Sequence, residues 1–156
     1  MKRRVFTLVL WVAGLGVAHA DTVAPGDVVW QDGTIPQSLT GVAGDPAEGA
    51  KVLSSKSIGN CIACHEVTAL ADVPFHGEVG PLLDGAGDRW TEAELRAILV
   101  NSKEVFPDSV MPSFYRVDGF IRPGKAYTGK AADDTFGPLL TAQQIEDAVA
   151  FLMTLD

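Results

Sequence analysis

Residues 60–65 read Asn-Cys-Ile-Ala-Cys-His, and Cys61 and Cys64 are the only cysteines in a chain of 156 residues. Two cysteines separated by two residues occur in thiol–disulfide exchange proteins, in zinc sites and in covalent haem sites. A disulfide within the pair would close a very short loop and would constrain little of the unfolded chain. The choice among these chemistries therefore depends on the residues around the pair.

The surrounding sequence favours covalent haem attachment. A thiol–disulfide exchange site is expected after a strand and at a helix start, and no alternating or β-branched run precedes Asn60. A zinc site needs a second pair of strong ligands, and no further cysteine is present. Cys-x-x-Cys-His is the attachment signature of haem c: thiols one helical turn apart form thioethers with the vinyl groups, and His65 is the proximal iron ligand. One motif predicts one covalently bound haem c.

The start of the chain predicts export. Residues 1–4 are Met-Lys-Arg-Arg, followed by the apolar run VFTLVLWVAGLGVA and then by Ala18-His19-Ala20. A basic start, an apolar core and a small-x-small cleavage site are typical of a secretory signal peptide. The apolar run is shorter than the ~20 residues that span a bilayer. We therefore predict removal of residues 1–20. We also predict an N-terminal extended arm over residues 21–44 and one haem-binding domain over residues 45–156.

The charge of the chain argues against two classes of partner. The formal charge is −8, and loss of the three basic residues of the signal peptide changes it to −11. Phosphate backbones and anionic lipid repel so acidic a protein, so we expect no nucleic acid and no membrane as partner. The charge fits either simple solubility or docking to a basic protein.

Three residues of the mature chain are candidates for a second axial iron ligand: His76, Met111 and Met153. Met153 continues the apolar stripe of a predicted C-terminal helix, where methionine usually fills a core. His76 lies in the polar stretch VPFHGE, which is typical of an exposed loop. Met111 begins Met-Pro-Ser-Phe, where Pro112 stiffens the loop that presents the thioether. We predict Met111 as the ligand, and a His/Met pair favours electron transfer over ligand activation.

The remaining pattern predicts a mainly α fold. Asp45 and Pro46 are typical of a helix start, and the helix over residues 46–55 carries Gly49, which indicates close approach of another helix. Thr91 and Thr141 each begin a capping box before an amphipathic helix. The first of these helices is expected to end within residues 101–106. A short hairpin is predicted over residues 114–122, with Asp118-Gly119 as its two-residue turn.

Several of these residues resemble the class I cytochromes c. The resemblance rests on Gly49 ahead of CIACH, on Gly80-Pro81-Leu82-Leu83 after it, on MPSF and on the terminal helix AFLMTL, and it covers residues 44–156. It implies helices wrapped around one haem, with the first and last helices crossing at Gly49 and Phe151. It also implies that the Pro81 carbonyl accepts a hydrogen bond from the proximal histidine, which orients the imidazole.

A narrower resemblance rests on MPSFYR, GFIRPG, Tyr127-Thr128-Gly129-Lys130 and LTAQQIEDAVAFLMTLD. These segments are similar to the small monohaem subunit of the sulfur-oxidation (Sox) cytochrome complex; residues 131–138 do not align with it. The resemblance implies a periplasmic heterodimer with a larger haem subunit. The complex conjugates thiosulfate oxidatively to a carrier-protein cysteine and passes the electrons to an acceptor cytochrome. The thiol active site is then expected on the larger subunit, and this chain contributes no catalytic residue.

Two other functions remain open from the sequence. One is a free-standing soluble electron shuttle unconnected with sulfur oxidation, and the other is a haem enzyme or gas sensor with an open sixth iron position. A low-spin spectrum with a sulfur-to-iron charge-transfer band would exclude the open site. Co-purification with a second cytochrome would separate the subunit from the shuttle.

Overall fold

The computed structural model of the chain describes residues 21–124 and 128–156. The predicted signal peptide, residues 1–20, and Tyr127 of the Sox-like pattern therefore lie outside the described residues. None of the helices in the described ranges is long and apolar enough to cross a membrane.

The described part of the chain is mainly helical, as predicted. Its α-helices are α1 (Pro46–Ser54), α2 (Ala86–Arg89), α3 (Glu92–Val105) and α4 (Ala142–Leu152), with 3-10 turns at Pro25–Asp27, Cys61–Ala63 and Thr68–Leu70. Over the same residues, the extended pairing consists of one isolated bridge between Gln31 and Thr34. The four-residue helix α2 is not indicated by the sequence pattern.

The predicted helix starts are confirmed by their caps. The Asp45 carboxylate accepts a hydrogen bond from the Ala47 N–H (2.8 Å), and Pro46 is the first residue of α1. Thr91 and Thr141 each form a complete capping box before α3 and α4. These bonds satisfy amide groups that a helix start leaves without a partner inside the helix.

Helices α1 and α4 cross at Gly49, as the family resemblance implied. A Cβ atom on Gly49 would lie 2.7 Å from the Cβ of Phe151 and would also meet the Asp147 carbonyl. Only a residue without a side chain allows the two backbones to approach so closely, which explains a glycine inside a helix. This crossing joins the beginning of the cytochrome domain to its end.

Residues 21–44 pack against the helices and contribute Ile35 and Leu39 to the core, each 1% exposed. The main connection is a buried pair in which Arg96 of α3 donates two 2.9 Å hydrogen bonds to the Glu146 carboxylate of α4. The same two side chains hold the arm, because Arg96 donates to the Ile35 carbonyl (2.8 Å) and Glu146 accepts from the Leu39 N–H (2.7 Å). The arm is therefore fastened where α3 meets α4.

The hairpin predicted for residues 114–122 is wrong. The Phe114 and Tyr115 amides donate instead to the Leu99 and Val100 carbonyls of α3, at 3.0 and 3.2 Å. Residues 116–122 are bends and irregular backbone. Asp118-Gly119 forms a bend, with Gly119 at φ 68°, and not the predicted two-residue turn between strands.

Candidate haem site

Cys61, Cys64 and His65 lie on a single helical turn. The Cys61 carbonyl accepts hydrogen bonds from the Cys64 N–H (3.1 Å) and the His65 N–H (3.0 Å). Residues three and four positions apart on such a turn share one face. Asn60, with φ 51° and ψ 38°, bends the chain into this turn after α1. The turn thus brings two sulfur atoms and an imidazole together in five consecutive residues.

The two thiols differ in environment. The two cysteines are not joined by a disulfide; Cys64 is exposed and Cys61 is partly buried. Burial raises the pKa of the Cys61 thiol to about 12, because the charged thiolate is poorly solvated there. Before haem attachment, the Cys61 thiol of this fold therefore carries its proton at neutral pH.

The His65 ring is oriented by a backbone carbonyl. The distance between His65 Nδ1 and the Pro81 oxygen is 2.6 Å. Because a carbonyl oxygen only accepts hydrogen bonds, Nδ1 must carry the proton and donate it. The lone pair of neutral imidazole is then on Nε2, which is the form that binds a metal.

The segment after His65 folds back over the cysteine turn. The Gly77 N–H donates to the Ile62 carbonyl (2.8 Å), and the Gly80 N–H donates to the Cys64 carbonyl (2.7 Å). These two bonds fix the position of Pro81, whose carbonyl then meets the imidazole. The glycines of this segment were missed as site residues by sequence reasoning, although the Gly-Pro pair was visible.

Gly80→Ala is expected to displace the His65 ring. A Cβ atom on Gly80 would lie 2.6 Å from His65 Nδ1 and 2.7 Å from Nε2, so the ring must move away from the Pro81 carbonyl. Overpacking of this kind costs about 1–3 kcal/mol. Urea unfolding and the hyperfine-shifted NMR signals of the ferric haem protein measure the two effects.

The control is Gly137→Ala, because a Cβ atom on Gly137 would meet nothing within 4 Å. Equal unfolding midpoints and equal NMR shifts in the two variants would show that the His65 ring does not depend on Gly80.

His76 uses both ring nitrogens within the protein. Its Nδ1 accepts a hydrogen bond from the Val67 N–H (3.2 Å), so this nitrogen has no proton. Nε2 then carries the proton and donates to the Leu70 carbonyl, also at 3.2 Å. Ligation of iron by His76 would break one of these bonds, so the structure gives this histidine a role in the Thr68–Leu70 turn.

The two methionines lie in different settings. Met153 ends α4 and packs against the core, as expected for a methionine on the apolar stripe. Met111 lies on the segment after α3, is partly buried and packs against the same core. Its carbonyl accepts hydrogen bonds from Ser102 Oγ (2.8 Å) and Lys103 Nζ (2.5 Å). The backbone of Met111 is therefore held in place, a feature that the sequence did not reveal.

These groups fit a covalently bound haem. Two free thiols on one turn suit two thioethers, and an imidazole with its Nε2 lone pair free suits an axial iron ligand. The Pro81 carbonyl contacts His65 of this turn. Met111 belongs to a separate segment, after α3, and packs against the core.

The comparisons agree with this chemistry. The family model described as cytochrome c matches residues 46–156. A solved chain of SoxXA from P. pantotrophus is 52% identical, with a TM-score of 0.82, over 86% of this chain and 98% of that chain. No match was found among curated proteins. The chain belongs to the cytochrome c family and carries a covalently bound c-type haem.

Proposed function

We propose that this protein is the monohaem electron-transfer subunit of a periplasmic Sox-type heterodimer. The observation that carries the proposal is the 52% identity to a chain of SoxXA over 98% of that chain. The activity of the assembled complex is the oxidative conjugation of thiosulfate to a carrier-protein cysteine. Export by the predicted signal peptide places the chain in the compartment where its partners act.

Each site residue has a separate role in this proposal. Cys61 and Cys64 form the two thioethers, and His65 is the proximal ligand through Nε2. The Pro81 carbonyl fixes the imidazole through its 2.6 Å contact with Nδ1. Met111 would supply its thioether as the second iron ligand from the protein. When bound, the haem supplies a one-electron Fe(III)/Fe(II) couple, whose potential a His/Met pair raises.

The residues support a carrier rather than a reaction centre. The conjugation joins the outer sulfur of thiosulfate to the carrier sulfur, breaks the carrier S–H bond and releases one proton and two electrons. A site that held a reacting sulfur atom would need a free thiol. Both cysteines of this chain belong to the haem motif, so the thiol site belongs to the larger haem subunit. A one-electron carrier acts twice in each turnover and passes the electrons to an acceptor cytochrome.

The larger subunit has to cover part of this chain. A stable heterodimer buries more than ~1,200 Å² in total. The arm and the segment after α3 expose large apolar side chains: Val29 is 57%, Val110 83% and Ile121 94% exposed. We expect these two segments to contribute to the interface.

The test is thiosulfate-dependent haem reduction in the presence of the carrier protein. We expect none with this chain alone, and full turnover when it is mixed with the larger subunit. Met111→Ala should assemble with the larger subunit but impair turnover, whereas Ser54→Ala, which removes a hydrogen bond within α1, should not impair turnover. Full activity of the larger subunit alone would reduce this chain to an accessory shuttle, and activity of this chain alone would overturn the proposal.

A further inference from the structure

Helix α3 bends at Asn101, whose φ of −151° and ψ of 88° are extended rather than helical. The helix has neither proline nor glycine at this point, so the bend needs another cause. The Leu99 and Val100 carbonyls accept hydrogen bonds from the Phe114 and Tyr115 amides. The bend therefore coincides with the point where α3 takes up the chain segment that follows Met111.

Side chains near the bend also form hydrogen bonds with residues 111–113 of this segment. Ser102 Oγ donates to the Met111 carbonyl at 2.8 Å, and Ser113 Oγ donates to Asn101 Oδ1 at 2.6 Å. Lys103 Nζ adds a second donor to the Met111 carbonyl. Residues 111 to 115 are thus bonded to α3 at both ends.

The two serine bonds are wholly or partly shielded from water, whereas the Lys103 bond is exposed. Ser102 is 0%, Ser113 7% and Asn101 8% exposed. In such a place a hydrogen bond that is lost is not replaced by water, so breaking it costs more than at the surface. Pro112 has no N–H group and needs no acceptor. The Met111 carbonyl, bonded to Ser102 and Lys103, and the Met111 N–H, which donates to Ser109 Oγ (3.2 Å), together fix where the methionine backbone lies.

We infer that Ser102 and Ser113 are positioning residues for Met111: the bent α3 holds residues 111–115 so that the thioether faces the iron. This inference rests on the proposed role of Met111 as sixth ligand. It predicts that loosening either serine contact favours release of the thioether even though neither serine touches the iron.

The test uses the haem-loaded full-length protein in its ferric state and free imidazole as a competing ligand. Ser102→Ala and Ser113→Ala should each raise the apparent association constant of imidazole by up to about tenfold, the ratio expected for loss of one hydrogen bond. Both variants should also weaken the sulfur-to-iron charge-transfer band and lower the reduction potential. The control is Ser54→Ala, because Ser54 Oγ donates to the Ala50 carbonyl (2.7 Å) within α1.

Met111→Ala shows whether a negative result concerns the two serines or Met111 itself. If Met111→Ala changes imidazole binding and Ser102→Ala and Ser113→Ala do not, the serines do not position the ligand, and Met111 remains the ligand. If the control Ser54→Ala changes imidazole binding as much as Ser102→Ala and Ser113→Ala do, the effect is general destabilisation and the inference is overturned. If Met111→Ala leaves the spectrum and imidazole binding unchanged, Met111 is not the sixth ligand and both proposals fail. Should Ser102→Ala not fold, Ser113→Ala gives the answer alone.

Discussion

Alanine at both Cys61 and Cys64 is expected to abolish covalent haem in this protein, and alanine at either one to leave a single thioether and little stable holoprotein. The chain offers no third thiol that could replace a lost one. With one thioether, the His65 ligand has to hold a haem that rotates about its remaining link. The pyridine haemochrome spectrum counts the saturated vinyl groups, and extraction with acidified organic solvent shows whether the haem is covalent.

Ala63→Ser provides the matched control, because Ala63 is an exposed residue of the same turn and the change leaves both thiols intact. Its yield and spectrum should equal those of the wild-type protein. A wild-type protein that releases its haem to acidified organic solvent would contradict the assignment of the motif.

Removal of one partner of the buried Arg96–Glu146 pair is expected to have the largest effect on folding. Both side chains are 5% exposed. Arg96→Met leaves the Glu146 charge buried without its partner, and Glu146→Leu leaves Arg96 with only the exposed Glu92 carboxylate at 3.8 Å. Breaking a buried pair in this way costs about 3–5 kcal/mol in free energy of unfolding. Each change also removes a bond to the arm, at the Ile35 carbonyl or the Leu39 amide. Urea denaturation measures the loss of free energy of unfolding, provided that its dependence on urea concentration (the m-value) is the same in all variants.

The double variant Arg96→Met/Glu146→Leu should recover much of this loss, since it buries no unpaired charge. Lys51→Met breaks the exposed pair between Lys51 and Glu48 and should leave the urea midpoint unchanged. Additive losses in the double variant would mean that the two side chains act independently of their ion pair.

The features that the sequence predicted correctly are local ones. A capping box needs residues only three positions apart, and Thr91 with Glu94 and Thr141 with Gln144 form the expected bonds. The Cys-x-x-Cys-His spacing likewise places the two cysteines about one helical turn apart, because all five residues lie within one turn. The crossing at Gly49 came from the family resemblance combined with a glycine in a helix.

The features that the sequence missed depend on residues far apart in the chain. Arg96 and Glu146 are separated by 50 positions, and neither residue shows by itself that it will be buried. The hairpin failed for the same reason: the Phe114 and Tyr115 amides found carbonyls on a bent helix, and no local pattern predicts that bend. The hydrogen bonds of His76 depend on a turn whose shape the loop composition did not reveal.

The fastening of the arm to α4 has a consequence for the order of events as the chain folds. Leu39 and Glu146 are 107 positions apart, and α1 also meets its partner only in the last helix. Contacts so distant in sequence form slowly, and a chain that emerges N-terminus first has to wait for its final residues. Cys61 packs against the core that α4 completes, so we expect its thiol to be more accessible until α4 docks. The late arrival of α4 therefore gives thioether formation time to finish before the core closes.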